Sequence, residues 1–289
     1  MGLLAVLTAA GVQAAGPALP GPALPALPGP ALPALPPLLG SPRPTPTPPA
    51  PAPAPVPGPS TAPPQDHWAL LVGITDYSGR VSSTVGGAND ARLVRDVLLQ
   101  NGWRADRIRL LVEGQATGAA VAEGMSWLQA NSSPTTFSMF HYSGHVKQKN
   151  GQEYLWPVDS AFIADTEMVR VLRGIRGTAW TSISGCEAAG FDDGLSSPRH
   201  LVTASSLADE KSYEDPETGL SVWTGLFFGE ALRRGAGDTD GDGVVTVDEA
   251  FAHAAPRATT FTQSQRPYGP QTPRSAGGSG GLRLDAPRI

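Results

Sequence analysis

Two residues near the ends of apolar segments could together carry out nucleophilic chemistry. Cys186, the single cysteine of the chain, ends the segment 179–186, and His145 lies near the end of the earlier segment 135–146. Each directly follows a glycine, which permits a tight turn and close approach of a substrate. A cysteine attacks as its thiolate, and a neighbouring imidazole lowers the thiol pKa and then protonates the leaving group. The pair therefore predicts a catalytic dyad, and the alternative is a buried, inert cysteine with a structural histidine.

A second candidate site is an acidic segment with the spacing of a calcium-binding loop. Residues 238–249, DTDGDGVVTVDE, fit the EF-hand pattern D-x-[DN]-x-[DN]-G-x5-E. The oxygen ligands expected from that pattern are Asp238, Asp240, Asp242, the carbonyl of Val244, Thr246 and Glu249. The segment predicts a Ca²⁺ ion with a structural or regulatory role. The alternative is an acidic turn between two helices that binds no metal.

The elements that must position these residues alternate between strands and helices from His67 onward. Apolar runs bounded by polar residues predict buried strands at 67–77, 107–114, 135–146, 179–186 and 200–206. Helical periodicity and capping residues predict helices at 86–103, 117–132, 164–177 and 223–235. This alternation predicts an α/β sandwich around a mainly parallel sheet. Because reactive groups collect at the carboxyl ends of parallel strands, we expect His145 and Cys186 at one edge of that sheet.

Several motifs, taken in order, resemble those of caspase-like cysteine peptidases of the bacterial metacaspase type. They are ALLVGITDY, GGANDARLVRDVLLQNGW, HYSGH, EYLWPVDS, SISGCEAAG, and TASSLADEKSYED followed by GLSVWTGLFFGEAL. The resemblance covers residues 66–275, and the separation of 41 positions from His145 to Cys186 is close to the ~50 of caspases. It implies a caspase-like three-layer α/β/α sandwich and a cysteine endopeptidase that needs no cofactor for hydrolysis.

The resemblance also implies a role for each matching residue. Cys186 would form a thioester acyl-enzyme, and His145 would act first as general acid and then as base. The backbone N–H groups of Cys186 and Val146 would form the oxyanion hole. Asp90 would line the S1 pocket and favour Arg or Lys at P1, and the alternative for this residue is a plain helix N-cap.

The chain departs from the metacaspase pattern around the substrate pocket. Val146 stands where the family usually has Gly, and Ser184 stands where the family has a second S1 aspartate. Ser184, Ser206 and Asp209 are the other residues expected on the substrate side of the cleft, and a solvated acidic loop is the alternative for Asp209. Two other functions therefore remain: an inactive homologue that binds peptides or partners, and a calcium-dependent scaffold module.

Composition restricts the function classes. The chain of 289 residues has a formal net charge of −5, which argues against a nucleic-acid-binding surface. One cysteine excludes an internal disulfide and any multi-thiolate metal site built from this chain alone. The expected partner is a protein or peptide substrate, and the sequence predicts no oligomeric state.

Composition also divides the chain. Residues 1–16 resemble a signal peptide and are too short to span a bilayer. Of the 30 prolines, 21 precede residue 65, so residues 17–64 are expected to form a disordered Pro/Ala-rich linker. A peptidase domain at 65–275 and a flexible tail at 276–289 would follow. This organisation predicts an exported protein, periplasmic, cell-surface or secreted, and the alternative is a cytoplasmic one.

Overall fold

The structure is a computed structural model that describes residues 66–284, apart from Arg80, Arg266, Ser279 and Gly280. The predicted signal peptide and Pro/Ala-rich linker lie outside the described residues and stay predictions. The strands are β1 Asp66–Gly73, β2 Ile108–Val112, β3 Thr136–Ser143, β4 Val146–Lys149, β5 Gln152–Leu155, β6 Ile163–Ala164, β7 Thr178–Ser184, β8 His200–Ala204, β9 Glu214–Asp215, β10 Leu220–Ser221 and β11 Arg274–Ala276. The helices are α1 Gly87–Gln100, α2 Gly118–Ala130, α3 Asp165–Leu172, α4 Val222–Thr224, which continues as a π-helix over Gly225–Arg233, and α5 Val247–Ser264.

A six-stranded sheet forms the centre of the described residues. Its strand order is β11-β8-β7-β3-β1-β2, and all neighbouring pairs are parallel except β11 with β8. Two small antiparallel sheets, β10-β9 and β4-β5-β6, lie outside it. The predicted α/β sandwich around a mainly parallel sheet is confirmed.

Apolar side chains cover both faces of the central sheet, because successive residues of a strand point to opposite sides. In β1, Leu71 belongs to one core cluster, whereas Leu70 and Val72 belong to the other. The first cluster takes residues from α1, the π-helix and α5, and the second takes residues from α2 and α3. Helices on both faces give the three layers that the family resemblance implied.

Several predicted elements end earlier than their sequence patterns suggested, and the first strand, for example, stops at Gly73 rather than at residue 77. The third strand stops at Ser143, and the chain turns through Gly144 before β4 begins. A side chain could not be placed at Gly144, since a Cβ there would lie 2.6 Å from the Tyr77 hydroxyl. Helix α3 ends at Leu172 instead of continuing to 177. The apolar pattern in the sequence continues beyond this point, but the chain leaves the helix near Gly174.

The C-terminal boundary lies further along the chain than predicted. Strand β11 contains residue 275, where we placed the end of the domain, and pairs with β8. Leu284, expected in a flexible tail, is buried, and its carbonyl accepts a hydrogen bond of 2.7 Å from the Trp103 indole. The packed region therefore extends to Leu284. The Gly/Ser-rich composition of this segment gave no sign of the buried apolar residue.

Among the described residues, no helix is both long and apolar enough to cross a membrane.

Candidate active site

The register between β3 and β7 brings the two predicted catalytic residues to one edge of the sheet. Ser143 pairs with Ser184, and each is followed by a glycine and then by the candidate residue. The Gly144 N–H donates to the Ser184 carbonyl (3.2 Å), so the pairing continues past the strand ends. His145 and Cys186 therefore occupy equivalent places on neighbouring strands.

The two segments that follow the strands touch each other closely. A Cβ at Gly185 would lie 2.8 Å from the Gly144 carbonyl oxygen and 3.0 Å from a methyl carbon of Val146. Only glycine leaves room for this approach, which explains the glycine before the candidate nucleophile.

Two buried tyrosines hold the backbone of His145 from both sides. The His145 N–H donates to the Tyr77 hydroxyl (2.9 Å), and the Tyr142 hydroxyl donates to the His145 carbonyl (2.7 Å). Both phenol groups also bond to the Trp156 backbone. Burial raises the pKa of Tyr77 to about 12 and that of Tyr142 well above its ordinary value. Both tyrosines therefore stay neutral in the normal pH range.

A backbone carbonyl sets the tautomer of the His145 ring. Its Nε2 lies 2.7 Å from the carbonyl oxygen of Ser82. A carbonyl can only accept, so Nε2 carries a proton, and in the neutral ring Nδ1 is the free acceptor. The ring also packs against Tyr77, with centroids 4.6 Å apart, and near Trp156, at 6.0 Å.

Cys186 is half-buried and lies in a tight turn after β7. The next residue, Glu187, adopts a left-handed conformation (φ 56°), and its N–H donates to the Glu210 carbonyl (2.8 Å). A positive φ is unfavourable for a residue with a side chain, so surrounding contacts must hold this turn. The Ser205 hydroxyl supplies two of them, since it accepts from the Gly185 N–H and donates to the Gly185 carbonyl.

Ser206, expected on the substrate side of the cleft, supports the same turn from below. Its side chain is fully buried. Its hydroxyl donates to the Gly185 carbonyl (3.2 Å) and accepts from the Ala188 N–H (3.3 Å). The structure thus places the buried Ser206 hydroxyl in the support of the turn at Cys186.

Both predicted oxyanion donors are available. Trp156 donates its N–H to the His145 carbonyl (3.1 Å), which makes this residue pair a hydrogen-bonded pair. Because such pairs alternate in antiparallel ladders, the next pair, Val146 with Leu155, is not hydrogen-bonded, and the Val146 N–H points away from β5. Within the part of the chain that the structure describes, the Cys186 N–H makes no hydrogen bond either.

Asp90 is completely buried beside the end of β3. Its carboxylate accepts hydrogen bonds from the Ser143 hydroxyl (2.6 Å), the Ser221 N–H (3.0 Å) and the Ser221 hydroxyl. Burial raises the pKa of Asp90 to about 6, against these hydrogen bonds, which lower it. The N-cap of α1 is Gly86. Asp90 lies in the first turn, four residues further on, so the N-cap interpretation of Asp90 is wrong.

The remaining pocket residues divide into buried and exposed ones. Ser184 is buried, and its hydroxyl accepts from the Thr224 hydroxyl (3.2 Å). Asp209 is exposed on the loop after β8. Its acidic neighbour Glu214 has a structural task, since its carboxylate accepts from the N–H groups of Val85 and Gly86 (2.7 Å each). The loop is therefore neither wholly solvated nor wholly available to a substrate.

Several residues that complete the site are not among the predicted ones. Tyr142 and Ser143 lie inside the HYSGH motif, which was a local signal for them. Ser82 and Ser221 reach the site from distant loops, and no spacing in the sequence points to them.

The acidic segment 238–249 forms a compact loop between the π-helix and α5. Carboxylate oxygens of Asp238, Asp240 and Asp242 lie within 4.8 Å of one another. Glu249, the expected bidentate ligand, instead accepts from the N–H and hydroxyl of both Thr246 and Thr239. Three of the four expected carboxylate ligands therefore lie close together, while the fourth, Glu249, serves as a helix-capping group.

Comparison with known proteins places this geometry in a family. The sequence model of the caspase domain matches residues 66–248. Metacaspase-1 of Candida albicans is 32% identical over 139 residues, which are 38% of this chain and 31% of that protein. Metacaspase-1A of Aspergillus fumigatus is 33% identical over 123 residues, 36% of this chain and 30% of that protein. The matches thus span about a third of the length of these curated relatives.

A structural comparison agrees at the level of the fold. A crystal structure of a protein from Geobacter sulfurreducens aligns with a TM-score of 0.56 at 12% identity, covering 77% of this chain and 100% of that one. The caspase-domain match covers well over half of the chain and includes the β3 and β7 ends that carry His145 and Cys186. The chain belongs to the caspase-domain family of cysteine peptidases and is of the metacaspase type.

Proposed function

We propose that the chain is a cysteine endopeptidase in which Cys186 is the nucleophile and His145 is the acid–base partner. The observation that carries the proposal is the β3–β7 register, which ends both strands at one edge and places the two residues at equivalent positions. His145 is held by its backbone on two sides, as a group that transfers protons must be.

The reaction would proceed in two stages. The Cys186 thiolate attacks the scissile carbonyl carbon, and the C–N bond breaks as His145 protonates the departing amine. This leaves a thioester. His145 then takes a proton from water, the hydroxide attacks the thioester carbon, and the C–S bond breaks, which releases the acid and restores the thiolate beside the protonated His145. In both stages the negative oxygen would be stabilised by the N–H groups of Cys186 and Val146.

A preference for Arg or Lys at P1 would rest on Asp90. Its carboxylate accepts a hydrogen bond from Ser143 at the end of β3, and Ser143 pairs with Ser184, which replaces the second aspartate of the metacaspase pattern. Three hydrogen bonds from Ser143 and Ser221 currently satisfy this carboxylate. A basic side chain would have to displace the Ser221 donors to form an ion pair.

Labelling by an arginyl ketone probe tests this function. We expect the purified protein to form a covalent adduct at Cys186, and the Cys186→Ala variant to form none and to cleave no Arg-containing peptide. The matched control is Ser212→Ala, which removes the side chain of the residue whose carbonyl lies 3.9 Å from the Cys186 sulfur but leaves that carbonyl in place. Peptide cleavage that persists in Cys186→Ala would refute the dyad. Binding without cleavage by the wild type would favour an inactive, peptide-binding homologue.

We also propose that residues 238–249 bind Ca²⁺ as a structural ion. The three gathered aspartates support it, since hard oxygen donors at these loop positions suit this ion. Bound Ca²⁺ would fasten the π-helix to α5. We expect 1 mM CaCl₂ to raise the melting temperature. The rise should vanish in Asp240→Ala and persist in Glu217→Gln, an exposed control outside the loop. If CaCl₂ changes the melting temperature of Asp240→Ala and of Glu217→Gln by the same amount, the proposed calcium site is refuted.

A further inference from the structure

A cavity separate from Cys186 and His145 lies between α1, the β9–β10 hairpin, the π-helix and α5. Its volume is about 530 Å³, within the range of pockets that hold small organic ligands. Apolar side chains from all four elements line it, namely Leu93, Leu220, Leu226 and Phe261. The proposed peptidase reaction leaves this space unused.

Two glycines of the π-helix keep the cavity open. Gly225 and Gly229 both line it, and neither needs to be glycine for packing reasons. A Cβ at Gly229 would meet only a methyl carbon of Leu93 at 3.6 Å, and one at Gly225 would meet Leu220 at 3.8 Å, both ordinary contacts. Glycine inside a helix lowers its stability, and π-helical turns occur frequently at functional sites. The absence of side chains here therefore points to a retained space.

The rim of the cavity carries two arginines. Arg233 and Arg234 line it, are exposed, and form no hydrogen bond or ion pair with any residue that the structure describes. Two carboxylates, Asp215 and Glu230, line the same cavity. Asp215 accepts from the Glu217 N–H and the Thr218 hydroxyl, and a Glu230 oxygen lies 3.6 Å from the Nε2 of His253.

We propose that this cavity binds a small amphipathic organic anion, with an apolar chain and a carboxylate head. The chain would lie among Leu93, Leu226 and Phe261, where the hydrophobic effect favours an apolar occupant. The carboxylate would lie between Arg233 and Arg234, since guanidinium groups bind carboxylates through paired hydrogen bonds.

A ligand bound in the cavity would affect the proposed substrate pocket through one residue. Ser221 lines the cavity and also donates two hydrogen bonds to Asp90. A ligand that shifts the β9–β10 hairpin would therefore change how firmly Ser221 covers Asp90. This consequence rests on the proposed peptidase function, whereas the binding itself does not.

Calorimetric titration with sodium decanoate tests the binding site directly. We expect one equivalent to bind the wild-type protein, and decylammonium chloride, which has the same chain and the opposite charge, to bind about tenfold more weakly or not at all. Arg233→Gln combined with Arg234→Gln should lower decanoate affinity about tenfold. The matched control, Arg170→Gln combined with Arg173→Gln, changes two exposed arginines around the end of α3 and should leave affinity unchanged.

A second variant tests the cavity rather than its charge. Gly229→Leu should fill the space, abolish decanoate binding and leave the melting temperature unchanged or higher. Equal binding of decanoate and decylammonium, or undiminished binding to Gly229→Leu, would overturn the proposal. Decanoate binding without a change in peptide cleavage would leave the site standing and refute only its connection to Asp90.

Discussion

The segment that carries His145 and the pocket around Asp90 lie at the same edge of the sheet but are held in different ways. The His145 backbone is fixed by neutral tyrosine hydroxyls on two sides. Asp90 is a buried carboxyl group satisfied by serine donors, with its pKa raised to about 6 by burial. The tyrosine arrangement is rigid and insensitive to pH. In the Asp90 arrangement, burial of the charged carboxylate costs free energy, and a basic ligand could reduce that cost.

This difference separates chemistry from specificity. The groups proposed to break the peptide bond follow the family pattern, and their neighbours hold them without using charge. The groups proposed to choose the substrate depart from that pattern at Ser184 and depend on Ser221, which comes from a distant hairpin. We expect substitutions on the two sides to affect different measurements.

The largest effect is expected on the His145 side. His145→Ala should lower kcat about 10³-fold, because no other group can protonate the leaving amine. Iodoacetamide should still alkylate Cys186, since the thiol remains. A kcat within tenfold of the wild type, in a variant with an unchanged circular dichroism spectrum, would contradict the assigned role.

On the pocket side, Asp90→Asn should lower kcat/KM for an Arg substrate about 10²-fold, because the charge partner of the P1 residue is lost. Asp209→Asn is the matched control, since Asp209 is exposed and should change kcat/KM less than twofold. The comparison is read from steady-state kinetics on one Arg peptide. If Asp209→Asn has the larger effect, the specificity belongs to the surface loop and not to the buried pocket.

The same pocket should also give a pH-dependent stability. The folded-state pKa of Asp90, about 6, lies above its ordinary value of 3.8, so the fold favours the protonated carboxyl group. Its stabilising contribution is present below pH 4 and is lost as the pH rises through 6, a loss of roughly 3 kcal/mol. The side chain of Asp90→Asn does not titrate. The free energy of unfolding of the variant minus that of the wild type should therefore be more positive at pH 7 than at pH 4. Urea midpoints at both pH values measure this, and a constant difference would refute it.

A smaller effect is expected from the tyrosines that hold His145. Tyr142→Phe should lower kcat about tenfold with little change in KM, because the ring of His145 loses its fixed position. The lost buried hydrogen bond should also lower the free energy of unfolding by about 1–2 kcal/mol. Tyr154→Phe is the control, since the Tyr154 hydroxyl donates to Gln152 and to no other residue in the described part of the chain. Equal kinetic effects of both variants would show that the Tyr142 hydroxyl does not position His145.

The central sheet and most of its helices could be predicted because their patterns are local. Apolar runs and helical periodicity identify β1, β3, β7 and β8 within a few residues of their ends. The helix over Gly225–Arg233 was predicted as part of 223–235, although its π-helical form was not. The two small sheets and β11 could not be predicted, since they depend on contacts between distant segments. The buried C-terminal anchors were missed for the same reason, as Leu284 is held by Trp103 from the other end of the domain.

The sequence by itself indicated the family, the layered fold, and the candidate nucleophile with its proposed partner, because residue types and motif order along the chain carry that information. Only the tertiary structure decided which groups surround them. It placed Ser206 in the support of the turn at Cys186, removed the N-cap interpretation of Asp90, and brought Ser221 onto the Asp90 carboxylate. The physical reason is that burial, tautomer and pKa depend on neighbours in space, and those neighbours come from residues far apart in the chain.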